Sequence, residues 1–338
     1  MGSWGRDWAK NILPQVEAVE PVAWVDSDPQ SLEMVQATLG VPPERCFASL
    51  DAAFSAVEAE AVLATVSLPA HVPIALATLQ AGKHVLLEKP LAPTLADARQ
   101  VAAVAEARAR VAMISQNYRF FPAVRGAVTL VREEELGPVA SINVDFRRNI
   151  PEMLPDGHPY LTLEHPLLMD MAIHHFDLMR AVLAQEPVGV VGHAWNPPWS
   201  YLSGPASAAV TVTFDGGAVV NYRGNWLSTG PPTAWSGEWR MECERGEIVW
   251  TSRGEGLAAE RVTVCPLDGP ARDLDLPSPR YFDRAGALDA FAVAIRTGKE
   301  PPCSARDNLG SVALMTTAVA AVSVGQTLPG PAVLTGFG

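Results

Sequence analysis

Three groups of residues in this sequence have the types and the spacing to do chemistry. The first is Glu88-Lys89-Pro90, where a short apolar run, Val85-Leu86-Leu87, stops at a carboxylate, an ammonium and a proline. A run of this kind reads as a buried parallel strand, and in open α/β sheets ligands gather beyond the carboxyl ends of such strands. Pro90 restrains Lys89 to extended backbone and favours a cis bond, so the ammonium is held in a defined direction. A surface Glu-Lys pair that happens to end a strand is the bland alternative. The second group is Asp170 and His174, four apart on a helix expected over 167–183 and therefore on one face. A carboxylate one turn from an imidazole orients it and supports its protonated form, which suits a general base taking the proton of an alcohol. A capping or buried hydrogen-bonded pair is the alternative there.

The third group is Gly2-Ser3-Trp4-Gly5, which leads into a helical pattern over 6–13, with Asp26 at the end of the next strand. Backbone amides at a glycine-rich helix N-terminus can meet a pyrophosphate. A carboxylate about 20 residues further on binds adenosine ribose hydroxyls. No arginine follows Asp26 closely, and its charge repels a 2'-phosphate, so NAD is expected over NADP. Only the second and third glycines of a Gly-x-Gly-x-x-Gly fingerprint have candidates, and Met1 stands where the residue between the first two belongs. The strand before that fingerprint lies in the middle of a sheet of this topology. Each buried backbone group left without a partner costs about 1–3 kcal/mol, which sits badly with marginal stability. We therefore expect the natural polypeptide to start several residues upstream, the alternative being a domain that has given up cofactor binding.

The elements that must position these groups alternate in the first third of the chain. Strands are expected over 21–26, 61–65, 84–87 and 111–115, with helices over 30–39, 71–80 and 94–108 between them. Thr94 and Asp97 form a capping-box-like start to the last of these. Strands separated by helices in this way build right-handed βαβ units and a parallel sheet. After Tyr118 strands follow one another directly, over 139–146, 188–194, 208–214, 218–224, 238–243, 247–251 and 261–265, with glycines at the turns. This is an antiparallel sheet interrupted by the 167–183 helix and followed by helices over 285–297 and 308–324.

Composition bounds the rest. The 338 residues fit about two domains, and 48% hydrophobic with 18% charged residues is ordinary for a well-buried globular enzyme. The net charge of -12 with no basic block makes nucleic acid an unexpected partner. Cys46, Cys243, Cys265 and Cys303 are scattered without a Cys-x-x-Cys, so neither a metal nor a disulfide framework is expected. His158 and His165, with the Asp170 set, are poor metal ligands by spacing. No leader is read at the start, and the apolar stretch 312–324 falls short of a membrane span. A cytoplasmic protein without a membrane partner is expected.

Taken together, Ala81-Gly82-Lys83-His84-Val85-Leu86-Leu87-Glu88-Lys89-Pro90-Leu91, Asn117-Tyr118-Arg119-Phe120-Phe121-Pro122, Leu136-Gly137-Pro138-Val139, Asp170-x-x-x-His174-x-x-Asp177 and Ser304-Ala305-Arg306-Asp307-Asn308 resemble the Gfo/Idh/MocA oxidoreductases, which include glucose-fructose oxidoreductase and inositol dehydrogenase. The likeness covers nearly the whole chain. It implies an NAD(P)-binding Rossmann-type domain over 1–118, here without its first strand, and a substrate and oligomerisation domain over 119–338 built on an open-faced antiparallel sheet. It implies a bound nicotinamide cofactor and a homo-oligomer, dimer or tetramer. The family pattern gives Lys89 to the substrate oxygen and the nicotinamide ribose, His174 to acid/base work and Asp170 to its support. Gly2, Trp4, Gly5, Asp26, Thr65, Pro69, His71, Glu88 and Lys89 are the expected cofactor contacts, and Lys89, Tyr118, Arg119, Arg147 and His174 the expected substrate contacts. Arg119 serves equally well in a structural salt bridge. Arg147 and Arg148 alternate across a strand, so at most one of them meets substrate.

His175 and Asp177 are expected to be structural. Six tryptophans, Trp195, Trp199, Trp226, Trp235, Trp239 and Trp250, could stack on sugar rings, although most are expected to fill the core. The segment 151–166 is expected as a loop that selects substrate. The activity expected is hydride transfer between NAD and a secondary alcohol of a sugar, polyol or related compound. The rivals are an NAD-dependent glycosidase of the same family and a nucleotide-sensing regulatory protein without turnover.

Overall fold

The computed structural model describes residues 1–150, 159–254 and 259–330. The chain forms two units, Met1–Asn117 with Arg280–Leu309, and Tyr118–Pro279 with the chain from Gly310 on. The sequence reading divides the chain between 118 and 119 and keeps all of 119–338 together; the structure divides after Asn117 and groups 280–309 with the first unit. Packing explains the return. Residues Leu288 and Phe291 of α8 (Asp283–Thr297) are buried, the Ile114 N–H donates to the Cys303 carbonyl at 2.9 Å, and Met113 bridges Ser304.

In the first unit, α1 (Ser3–Asp7) runs on through a π turn, Trp8–Ile12, and a 3-10 turn, Leu13–Gln15. Then come β1 (Trp24–Val25), α2 (Pro29–Leu39), β2 (Cys46–Phe47), α3 (Leu50–Ala56), β3 (Ala61–Ala64), α4 (Leu68–Gln80), β4 (His84–Leu87), α5 (Leu95–Ala107) and β5 (Ala112–Ile114). Capping fixes the helix starts. The Asp28 carboxylate accepts from the Gln30 and Ser31 amides, and Thr94 Oγ1 from the Asp97 amide. Gly40, at φ 66°, closes α2. The short β2 and α3 carry too little periodicity to stand out in the sequence. All pairings are parallel, but the sheet is divided: β1 pairs only with β2, and β3–β4–β5 form a separate three-stranded sheet. Val85, Leu86 and Leu87 of β4 are fully buried, while Ala61, Val62 and Leu63 of β3 are half-buried.

The second unit holds α6 (Pro122–Arg132), which the sequence reading passed over, then β6 (Val139–Arg147), a π turn over Leu167–Met171 and α7 (Ala172–Leu183). There follow β7 (Pro187–Trp195), β8 (Ser207–Phe214), β9 (Val219–Asn225), β10 (Glu238–Cys243), β11 (Gly246–Thr251), β12 (Arg261–Pro266), β13 (Arg272–Asp273), α9 (Ala305–Val324, shared between the units) and β14 (Leu328–Pro329). The strands make one nine-stranded sheet, ordered β13-β12-β11-β10-β6-β9-β8-β7-β14. Its pairings are antiparallel, as expected, with one exception: β6 and β9 run parallel. Their connection carries α7, β7 and β8, long enough to bring β9 back in the same direction.

Alternate residues of β6 face the core, with Ile142, Val144 and Phe146 buried. The other face is polar, with a Thr211–Asn221–Asn143 ladder beside Arg223–Asp145 and Arg240–Glu247 pairs. Trp226, Trp239 and Trp250 are core residues, while Trp195 and Trp199 are exposed. Among the described residues one helix, α9, is long and apolar enough to cross a membrane, longer than the 312–324 stretch read from sequence. Its Val312, Ala313, Leu314, Met315 and Ala318 are fully buried, as on a core helix.

Candidate functional site

In the first unit the helix N-terminus sits against the carboxyl end of β3. A Cβ added to Gly5 would lie 2.7 Å from Thr65 Oγ1 and 3.4 Å from Met1 Sδ, so a side chain there forces something to shift. This is the close helix–strand approach that the third glycine of a dinucleotide fingerprint serves, and it brings Gly5 and Thr65 together. Asp26 follows β1 directly. One of its carboxylate oxygens accepts from the Asp28 amide at 2.9 Å, and the other is ion-paired to the Met1 ammonium. Arg6 donates to the Met1 carbonyl at 2.8 Å. Trp4 is exposed, with the Arg284 guanidinium 4.3 Å over its ring. A glycine with no room for Cβ, a helix start and a carboxylate beyond β1 fit a dinucleotide. The Asp28 amide and the Met1 ammonium both occupy the Asp26 carboxylate in this structure.

Glu88 and Lys89 leave β4 at its carboxyl end. The Glu88 side chain, 8% exposed, accepts from Trp8 Nε1 at 2.6 Å and from the Lys89 amide at 3.4 Å. It ties the end of β4 to the helix that begins at Gly2. Trp8 is therefore a positioning residue that sequence reading missed, since nothing in its spacing separates it from any core tryptophan. The Lys89–Pro90 bond is cis. His71, expected as a cofactor contact, lies buried on α4 with Nδ1 2.7 Å from the Pro90 carbonyl and Nε2 3.1 Å from the Val66 carbonyl. Burial holds its pKa below the ordinary value, and a neutral ring donates to only one of these carbonyls at a time. The ring thus pins the turn that carries Lys89. Pro69 is exposed in the first turn of α4.

In the second unit the helix expected over 167–183 is present as one run, but Asp170 belongs to its π turn and His174 to the first turn of α7. A π turn holds more residues than an α turn, so the one-face relation of a regular helix is displaced at this junction; π turns recur at functional sites. His174 is 6% exposed. Tyr118 stacks flat on it, ring centroids 4.1 Å apart and 4° from parallel. Arg253 in turn donates to the Tyr118 hydroxyl and lies 4.5 Å over the Tyr118 ring. Arg253 itself, at φ 58°, is held through its amide by Glu260 Oε1 at 2.6 Å. Arg253 and Glu260 carry no motif and were not legible as parts of the site.

The remaining candidates are drawn elsewhere. Arg119 makes a two-pronged bond to Asp177, 2.6 Å on each oxygen. Asp177, 1% exposed, also accepts from Ser311 at 2.7 Å, and Arg180 links Ser311 to Glu186. That is the structural side of the alternative open for Arg119. Gly310 makes the same network possible, because a Cβ there would meet the Arg180 guanidinium at 2.3 Å. Arg147 pairs with Asp145 at 2.8 Å and Glu238 at 3.3 Å, on the polar sheet face. Arg148 lies over the Trp235 ring. His175 is packed between the Tyr222 hydroxyl and the Trp235 carbonyl. Burial pushes its pKa down to about 4. The expected loop over 151–166 lies, up to residue 158, outside the described residues, and His158 with it.

Comparison with known proteins bears on both units. Residues 1–116 match the model of the oxidoreductase family with an NAD-binding Rossmann fold, and residues 124–249 the Gfo/Idh/MocA C-terminal domain. The chain is 26% identical to D-apiose dehydrogenase of Paraburkholderia graminis over 328 residues, covering 93% of this chain and 84% of that protein. It is 25% identical to inositol 2-dehydrogenase of Rhizobium meliloti over 341 residues, covering 95% and 94%. An oxidoreductase of Agrobacterium radiobacter, solved in complex with NAD+, L-tartaric acid and magnesium, superposes with a TM-score of 0.81 at 19% identity and 95% coverage of both chains. This chain belongs to the Gfo/Idh/MocA family of NAD-binding oxidoreductases.

Proposed function

We propose that this protein transfers hydride between NAD and a secondary alcohol carbon of a sugar, polyol or related compound. The observation that carries the reading is Lys89, placed at the carboxyl end of β4 in the NAD-binding unit, where open α/β sheets hold their ligands. The carboxylate beside it, fixed by Trp8, and the turn after it, held by His71, support the assignment. The names of the relatives, D-apiose dehydrogenase and inositol 2-dehydrogenase, support the substrate class. NAD, when bound, supplies the hydride acceptor, and the chain's own residues handle the proton. Lys89 donates to the reacting oxygen. His174, its ring plane set by the Tyr118 stack, takes the hydroxyl proton in the oxidation and returns it in the reverse direction, and Asp170 supports its charged form. The reading takes the protein as a cytoplasmic homo-oligomer.

A panel of sugars and polyols, offered with NAD and followed by NADH formation, tests this. Turnover on one chemical class, lost in Lys89→Met with NADH binding kept, is the expected result. NADH binding without turnover across the panel would leave a nucleotide sensor.

A further inference from the structure

In the second unit a chain of flat groups leads away from His174. Tyr118 stacks on the imidazole, ring centroids 4.1 Å apart. The Arg253 guanidinium carbon lies 4.5 Å from the centre of the Tyr118 ring and 5.6 Å from that of Trp235. The Arg148 guanidinium carbon lies 4.6 Å from the same indole. Two cations therefore share one tryptophan, and Arg253 is a single ring removed from His174. Aromatic faces hold a guanidinium by its flat side and leave its edges for an anion.

Arg253 is placed against its own backbone preference. Its φ of 58° is left-handed, a region that residues with a side chain rarely adopt. Glu260 keeps it there. Oε1 accepts from the Arg253 amide at 2.6 Å, while the same carboxylate accepts from the Ala123 amide at 3.0 Å and from the Ser252 hydroxyl. That carboxylate thus serves the backbone and not the guanidinium. Among the described residues the Arg253 guanidinium makes no ion pair, and its hydrogen bond runs from Nη1 to the Tyr118 hydroxyl. Its Nε and Nη2, the two parallel N–H groups of one edge, are left over. Three arginines of this unit show what such an edge takes. Arg119 on Asp177, Arg180 on Glu186 and Arg240 on Glu247 each set Nε and Nη2 on the two oxygens of one carboxylate.

We propose that the Nε–Nη2 edge of Arg253 binds a carboxylate of the substrate, so that the alcohol belongs to a sugar acid: an aldonate, a uronate or a related hydroxy acid. The alcohol rests on the dehydrogenase reading above, and the acid rests on Arg253. Tyr118 joins the two groups, since it stacks on the proton-handling imidazole and accepts from the arginine. The guanidinium lies no further from the imidazole than the two stacking distances together, a span that one monosaccharide-sized molecule bridges. A phosphate ester also fits a guanidinium edge; the three internal carboxylate pairs are what favour the acid.

The test is calorimetric binding of matched pairs to the protein with NADH present, and it needs no turnover. The pairs are D-gluconate with D-glucitol, D-galacturonate with D-galactose, and D-glucose phosphate with D-glucose. At least one acid should bind about ten- to hundredfold more tightly than its neutral partner, as expected for hydrogen bonds between charged groups. Arg253→Gln should lower that ratio about tenfold, and Arg253→Lys, which keeps the charge and loses the fork, should fall between. A merely structural arginine would weaken acid and neutral partner alike, and an unmoved ratio overturns the assignment. So does a wild-type protein that prefers no acid, or one whose preference is confined to the phosphate ester. NADH formation from the same compounds with NAD is scored separately. Acid binding that depends on Arg253, without NADH formed from any acid or polyol, counts against the dehydrogenase reading and leaves the carboxylate site. Oxidation of neutral polyols with no acid preferred keeps the dehydrogenase and removes the site.

Discussion

Trp239 and Trp250 stack across neighbouring strands in the second unit, 4.5 Å apart and fully buried. Val62 and Leu63, on a strand of the first unit that should be as deeply covered, border a cavity instead. The contrast extends to the chemistry each unit carries. In the second, His174 is braced by Tyr118, Tyr118 by Arg253, and Arg253 by Glu260, while α7 is tied to α9 through Asp177 and Ser311. In the first, Lys89 follows a short strand, beside the Trp8–Glu88 bond and the His71–Pro90 contact. A site built on a continuous sheet is over-determined, so damage to it shows as lost stability. A site at the end of a divided sheet is set by a few local contacts, so damage to it shows as lost function with the fold kept.

The sharpest break of that contrast is at Lys89. Lys89→Met should lower kcat by about 10³-fold, within the 10²–10⁴ typical of positioned acid–base and electrostatic groups, while the melting temperature and NADH affinity stay close to wild type. A rate within a factor of ten of wild type would remove Lys89 from the chemistry. The matching change in the second unit is Asp177→Ala, which leaves the Arg119 guanidinium without its buried two-pronged partner. Removing one member of a buried pair costs about 3–5 kcal/mol, to be read as a shift of the urea midpoint. Arg119→Met with Asp177→Leu should cost less than the two single changes added, because no charge is then left alone. Additive losses would mean that the pair does not act as a unit.

Burial holds the neutral form of His175, with a pKa of about 4, against about 6.5 in an unfolded chain. The unfolded chain therefore binds the extra proton first. Stability is full above pH 6.5 and falls as the pH drops toward 4, by about 3 kcal/mol for this group. His71 acts in the same direction in the first unit. In His175→Gln the slope between pH 6.5 and 4 should flatten, as measured by urea unfolding at several pH values. An unchanged slope would place the acid sensitivity in the other buried histidines.

Much of this was legible in the residues, for reasons that differ by element. β4 is found because three residues of unbroken hydrophobicity, Val85 to Leu87, end at charges, and α5 because Thr94 and Asp97 announce its start. Gly2 and Gly5 say little by themselves, and their reading rests on Asp26 at the end of the next strand. By contrast β2 and α3 are too short for periodicity to speak, and α6 hides its first turn behind Pro122. The parallel β6–β9 pair is a property of the return path, which local pattern does not encode. The roles of Trp8 and Arg253 arise from contacts 80 and 135 residues apart in the chain, where no spacing rule reaches, and Glu260, which holds the Arg253 amide from seven residues further on, carries no motif. His71 stands where a ligand residue is expected, and its ring nitrogens face backbone carbonyls, which no local pattern announces.

The smallest expected effect asks whether the first unit's glycine serves the cofactor or only the fold. Alanine is favoured over glycine inside a helix by about 1 kcal/mol, which offsets part of the strain of a Cβ placed 2.7 Å from Thr65 Oγ1. The melting temperature of Gly5→Ala should therefore move little. Its Cβ, or the displacement needed to seat it, intrudes where the helix start must approach a dinucleotide. NADH affinity should thus fall about tenfold, or roughly 1.4 kcal/mol, in a fluorescence titration. Thr65→Ala removes the atom that the new methyl would strike, so the double variant should recover part of that loss. If Gly5→Ala binds NADH as tightly as wild type, the close approach at Gly5 serves packing alone. If the loss appears and Thr65→Ala restores nothing, the methyl blocks the ligand directly instead of shifting the helix away from β3.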